Sequence, residues 1–88
     1  MRGKDVYTVT GETVIVSNQW AAQTEARSTT VSSSTWAFTG SGTLSGATLV
    51  TPLATTKLAA TTDGTLSNTV VLANGETLIN ERWVEVAT

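Results

Sequence analysis

Apolar and polar residues alternate along this chain in short runs, which is the pattern of β-strands. Residues 6–10, 13–16, 66–72 and 77–86 follow this period of two. No window repeats apolar residues at the spacing of a helical face. The β-branched residues Thr and Val dominate, and they suit a half-buried pleated sheet better than a helix. The sequence therefore predicts an all-β protein.

Turn signals separate these runs at intervals of roughly 8–12 residues. Asn74-Gly75 is the strongest hairpin signal, Gly11-Glu12 indicates a hairpin or a sharp bend, and Gly46 indicates a bulge. Residues 18–27 are ambiguous between a helical turn and an irregular crossing. The spacing predicts a single domain, residues 1–88, with about six to eight short strands in a small antiparallel β-sandwich or a small barrel.

The predicted core follows from the faces of three strands. Trp36 and Phe38 alternate on one strand, and a core position between two sheets is the main interpretation, with a stacking platform for a sugar or base as the alternative. Asn68 and Arg82 share the apolar faces of their strands. The residues predicted to form the core are Trp36, Phe38, Val70, Leu72, Val84 and Val86.

Arg82 lies in the predicted inward register beside Val84, where a charge without a partner costs several kcal/mol. Asp63, Glu76 or a backbone carbonyl could be its partner. We interpret Arg82 as a structural brace, with a contact to a neighbouring protein as the alternative.

Trp83 lies on the opposite face of the last strand, between Glu81 and Glu85. A large aromatic side chain in solvent indicates a subunit contact, so Trp83, Trp20, Glu81 and Glu85 are the candidate interface residues. The alternative is that Trp83 is covered by the N-terminal segment and packs against Trp20.

Composition narrows the possible functions of this 88-residue chain. It contains no His and no Cys, so thiol and His-based catalysis and most metal sites are excluded. Its net charge is −2 and its five basic residues are scattered, which argues against a nucleic-acid partner. No apolar run has the roughly 18–20 residues of a membrane helix. Glu81 and Glu85 flank Trp83 on a strand and not in a cleft, so we predict no enzyme activity and no cofactor.

A series of short motifs runs through residues 28–86. In chain order they are Thr30-Val31-Ser32-Ser33-Ser34-Thr35-Trp36, residues 54–60, Asp63-Gly64, Asn68-Thr69-Val70, Asn74-Gly75-Glu76 and Asn80-Glu81-Arg82-Trp83-Val84-Glu85-Val86. Their order resembles a family of small tailed-phage virion proteins, the fibre–tail adaptors, and related Ig-like proteins encoded beside phage head and tail genes. The resemblance covers about two-thirds of the chain. Two departures are Lys57-Leu58-Ala59-Ala60, where the family commonly has Trp-Leu-Ser-Gly-Gly, and Trp83 at a usually small polar position.

This resemblance implies an Ig-like sandwich that acts as a virion structural protein. Its expected partners are other phage proteins of the tail, the head–tail junction or the fibres, with a homo-oligomer also expected from open strand edges. The expected location is the virion, after synthesis in the cytoplasm of the host bacterium. The alternative is a stand-alone Ig-like module of the carbohydrate-binding or adhesin type, for which Trp20 with Trp83 is the candidate aromatic platform.

Overall fold

The computed structural model describes residues 4–87 of the chain. These residues form seven strands and one short helix. In chain order the elements are β1 (Val6–Val9), β2 (Val14–Gln19), α1 (Ala21–Ala26), β3 (Val31–Phe38), β4 (Gly42–Val50), β5 (Leu53–Ala60), β6 (Gly64–Leu72) and β7 (Thr77–Ala87).

The strands form two sheets, one of four strands in the order β1-β7-β6-β3 and one of three in the order β2-β5-β4. The prediction of an all-β sandwich is confirmed. Strands two, four and five share one sheet while three, six and seven share the other, which is the division found in constant-type immunoglobulin domains. The first strand departs from that scheme because it pairs with β7 and runs parallel to it, so the expected antiparallel arrangement does not hold for this one pair.

Of the two turn signals that indicated a hairpin, one forms a hairpin and the other does not. The hairpin at Asn74-Gly75 is confirmed: it joins the antiparallel strands β6 and β7, and Gly75 has a φ of 94°, which glycine adopts without steric cost. Gly11-Glu12 is the sharp bend and not the hairpin, because β1 and β2 belong to different sheets. Apolar and polar residues alternate in the same way on either side of a hairpin and of a bend between sheets, so the alternation could not show which of these Gly11-Glu12 forms.

The other irregular positions also follow from local sequence. The predicted bulge is confirmed, since the β4–β5 register shifts between Ser45 and Thr48 and Gly46 has a φ of 58°. The ambiguous segment, residues 18–27, contains the end of β2 and the helix α1, which lies in the connection from the three-stranded sheet to the four-stranded sheet.

The core lies between the two sheets and consists of two clusters of buried apolar residues. Of the predicted core residues, Val70, Leu72 and Val84 are buried. Trp36, Phe38 and Val86 are half-buried and pack against these clusters, with Trp36 touching both. The first cluster contains Val16, Leu58, Ala60, Leu66 and Val84; the second contains Trp20, Val31, Ala54, Val70 and Leu72.

Candidate functional site

The outer face of β7 carries the candidate interface residues. Alternation along the strand turns Ile79, Glu81, Trp83 and Glu85 outward, while Asn80 and Val84 point into the sandwich. Trp83 is 40% exposed and Ile79 is 46% exposed. These exposed apolar side chains on one strand face make the face a candidate surface for contact with another molecule.

Neighbouring strands extend this face with small side chains on one side and an aromatic ring on the other. Thr65, Ser67 and Thr69 of β6 lie opposite Trp83, Glu81 and Ile79, respectively. On β1, Tyr7 lies opposite Glu85 and is 70% exposed. Sequence reasoning did not assign Tyr7 to an interface, although the alternation in residues 6–10 could have indicated its outward position. We define the outer patch as Tyr7, Ile79, Glu81, Trp83 and Glu85.

Trp20 does not belong to the outer patch. It is 1% exposed and packs in the core beside Val31 and Leu72. The expectation that Trp20 forms part of an exposed interface is therefore wrong. Because Trp20 is buried, Trp20 and Trp83 do not form a paired aromatic platform for a sugar.

A buried amide explains why Trp20 turns inward. The side-chain oxygen Oδ1 of Asn68, itself fully buried, accepts hydrogen bonds from Trp20 Nε1 at 3.0 Å and from Asn18 Nδ2 at 3.1 Å. Asn68 Nδ2 donates to Ser34 Oγ at 2.8 Å and to the Thr35 carbonyl at 3.2 Å. This Asn68 network joins β2, β3 and β6 across the space between the sheets. Its sequence signal was a polar residue in the apolar face Leu66, Asn68, Val70, Leu72.

Arg82 connects the same network to the start of the chain. Its guanidinium donates to Asn18 Oδ1, from Nη2 at 2.6 Å and from Nε at 3.2 Å. It also donates to the backbone carbonyls of Ser17 at 2.9 Å and Lys4 at 3.2 Å. Partial burial lowers the pKa of this guanidinium from its ordinary value. Arg82 therefore fastens β7 to β2 and to the segment that precedes β1.

The partners of Arg82 are the side-chain oxygen of Asn18, which the sequence did not suggest, and two backbone carbonyls, which were one of the three expected kinds of partner. The two carboxylates suggested by the sequence are used elsewhere. Asp63 Oδ1 accepts a hydrogen bond from the Val86 backbone N–H at 2.7 Å. Glu76 forms an ion pair with Arg27 at 3.3 Å.

Replacing Arg82 with alanine is expected to lower the free energy of unfolding by about 1–2 kcal/mol, because several charge-assisted hydrogen bonds of a half-buried group are lost. Arg27→Ala is the matched control, since its pair with Glu76 is largely solvent-exposed and worth about 0–1 kcal/mol. Urea denaturation followed by circular dichroism measures both. Equal losses in the two variants would contradict the role of Arg82 as a brace.

The described part of the chain contains no cluster of three or more His, Cys, Asp or Glu residues that could hold a metal ion. Within residues 4–87 there is also no helix with the length and apolar character needed to cross a membrane. An open depression of about 340 Å³ lies beside helix α1. Its lining is half apolar and half polar and contains a single charged side chain, that of Arg27; the lining residues are Trp20, Gln23, Arg27, Thr77, Leu78 and Ile79.

Comparisons with protein-family models, with curated proteins and with solved structures find no match to this chain. The fold and the outer patch define the class of this protein as a small β-sandwich with an exposed aromatic residue on one strand face.

Proposed function

We propose that this protein is a non-enzymatic structural protein of a bacteriophage or prophage particle, a tail or fibre–tail adaptor component that binds neighbouring virion proteins. The observation that supports binding is the exposed Trp83 at the centre of the outer patch. The assignment to a phage particle rests on the resemblance of residues 28–86 to the adaptor family.

The outer patch has the composition of a protein-binding surface. Trp and Tyr are the residues that most often dominate binding energy at interfaces, because each buries a large rigid area at a small entropic cost. The flanking β6 side chains are short, so a partner can approach the indole ring of Trp83 closely. A partner covering this patch would present an apolar pocket for Trp83 and basic groups beside it.

The acidic side chains contribute orientation more than affinity. Glu81 and Glu85 lie on either side of Trp83 along the strand and are exposed. Exposed charges at the rim of an interface steer association and select against partners of the same sign, but add little net binding energy. We therefore expect the association rate, but not the contact made by Trp83, to depend on salt concentration.

The first test asks whether the protein is part of a particle. Mass spectrometry of purified particles from the phage or prophage that encodes this chain is expected to detect it at a copy number consistent with a ring or a fibre attachment. Particles that assemble with all other structural proteins but without this chain would contradict the proposal.

The second test asks whether Trp83 carries the contact. Trp83→Ala is expected to weaken binding to the adjoining virion protein by about 30-fold or more, the effect of removing a central aromatic residue from an interface. Binding is measured by surface plasmon resonance with purified particle proteins.

Ile15→Ala is the matched control for this measurement, because Ile15 is 68% exposed but lies on the opposite sheet. The affinity of the Ile15→Ala protein for the adjoining virion protein should equal that of the unchanged protein. A Trp83→Ala protein that binds as tightly as the Ile15→Ala protein would show that the outer patch is not the contact.

A further inference from the structure

One side of the sandwich is formed by two unpaired strand edges. β3 ends the four-stranded sheet and β4 ends the three-stranded sheet, and these two strands contact each other. The edge strands β1 and β2 lie on the opposite side. An edge strand presents unpaired N–H and C=O groups, which can pair with another strand unless charges, proline, a β-bulge or a covering segment prevent it.

β3 and β4 carry no charged residue of their own, and the one charged side chain beside β4 among the described residues is that of Lys57 on β5, which lies against Gly46. From residue 28 to residue 56 the chain carries no charged side chain, and this stretch includes the whole of both strands. β4 is nine residues long, and Val50 at its end is 73% exposed. On the opposite side, the Arg82 guanidinium already binds the Ser17 carbonyl of β2. The β4 edge is therefore interrupted only by its bulge between Ser45 and Thr48, whereas a guanidinium binds a carbonyl of the β2 edge.

A cavity and a buried unpaired donor also lie on the β3–β4 side. A cavity of about 140 Å³ lies between these strands and is lined by Trp36, Leu49 and three small residues, Ser34, Ala47 and Thr48. The buried Nε1 of Trp36 has no hydrogen-bond partner among the described residues. A buried donor without an acceptor costs about 1–3 kcal/mol, so an additional segment that closes this opening could recover part of that cost.

We propose that β4 pairs antiparallel with β4 of a second copy of this chain, which joins two three-stranded sheets into one six-stranded sheet. A twofold axis places a strand opposite itself, so any charge near the axis would face the same charge. β4 itself is uncharged, and an axis placed away from Gly46 keeps the Lys57 side chains of the two copies apart. The inward side chains of the added strand would extend over the opening beside Trp36.

This pairing is independent of the outer patch, because Trp83 lies on the outside of the other sheet. Each copy in the pair would keep its outer patch accessible. The dimer would then present two identical patches, and two linked contacts bind much more tightly than one where the geometry permits both.

Sedimentation velocity over a concentration series tests the proposal directly. The double variant Thr43→Glu with Thr48→Glu places like charges at exposed positions of β4 and is expected to raise the dimer dissociation constant about tenfold or more. The matched control is Ile15→Glu with Gln19→Glu, which adds the same charge to β2 at the other end of the same sheet. The control should dimerise like the unchanged protein.

Cysteine cross-linking provides a second measurement if the β4 double variant does not fold. The chain has no cysteine, so one substitution gives one reactive thiol. Among Thr43→Cys, Ser45→Cys and Val50→Cys, the position nearest the twofold axis is expected to form disulfide-linked dimers fastest. Ile15→Cys serves as the control and should cross-link only slowly, by random collision.

Four results would overturn the proposal, and the first three concern the protein alone. These are a monomer at every concentration, equal weakening by the two double variants, and cross-linking of Ile15→Cys as fast as at every β4 position. A protein that stays monomeric alone but binds an extended peptide of another protein along β4 would also overturn it, since the occupant would not be a second copy. Trp83→Ala should leave dimerisation unchanged, which separates this proposal from that of the outer patch.

Discussion

Trp20→Ala is expected to lower the free energy of unfolding by about 3–5 kcal/mol, the usual cost of removing a large aromatic side chain from a core. Trp20 is 1% exposed and packs among buried residues of both sheets. Its Nε1 also donates to Asn68, so the substitution removes a hydrogen bond together with the packing. Because a domain of this size has about 5–15 kcal/mol in total, the variant should be close to unfolding.

Urea denaturation followed by circular dichroism measures this effect without relying on tryptophan fluorescence. Trp83→Ala is the matched control, since it removes the same side chain from an exposed position and should cost about 1 kcal/mol or less. The two substitutions thus separate folding from binding: the first should destabilise the protein and the second should weaken partner binding. Similar losses of stability would contradict the assignment of Trp20 to the core and Trp83 to the surface.

Asn68→Ala is expected to lower the free energy of unfolding by about 2–4 kcal/mol, although the substitution replaces a polar group with an apolar one. Trp20 Nε1 and Asn18 Nδ2 would both lose their acceptor in a buried place. The Ser34 hydroxyl would lose its donor. The loss of stability therefore arises mainly from the buried polar groups that no longer have a hydrogen-bond partner.

Asn80→Ala provides the matched control for Asn68→Ala. Asn80 lies directly opposite Asn68 in the β6–β7 register and is also buried, but its Oδ1 has no hydrogen-bond partner within the described residues. Asn80→Ala should therefore lower the free energy of unfolding clearly less than Asn68→Ala does. Thermal unfolding of both proteins at the same pH gives the comparison, and a larger loss for Asn80→Ala would show that the Asn68 network does not stabilise the fold.

Local sequence was sufficient to predict the strands and the tight turns. The alternation in residues 66–72 and 77–86 is strong because one face of each strand is buried and the other is exposed. Asn74-Gly75 predicted the β6–β7 hairpin because Gly75 adopts a φ of 94°, which other residues rarely adopt. The predicted position of Trp83 on the exposed face followed from the same alternation, since a shift of one residue would have buried Glu81 and Glu85.

The local sequence pattern could not predict contacts between residues that are distant in the chain. Trp20 lies in a short ambiguous segment, and its burial depends on Asn68, 48 positions later in the chain. Arg82 was predicted to need a partner, but the choice of Asn18 requires knowing that β2 faces β7 across the sandwich. The parallel pairing of β1 was missed because a strand of four residues carries no information about direction.

The pairing of β1 with β7 has a mechanical consequence. The two strands run in the same direction, with Val6 beside Val84 and Val9 beside Ala87, and Thr10 N donates to the Ala87 carbonyl. Tension that pulls the two ends of the chain apart therefore draws these strands past each other along their length. Such a load is shared by all the hydrogen bonds of the pair at once, whereas peeling would break them one after another.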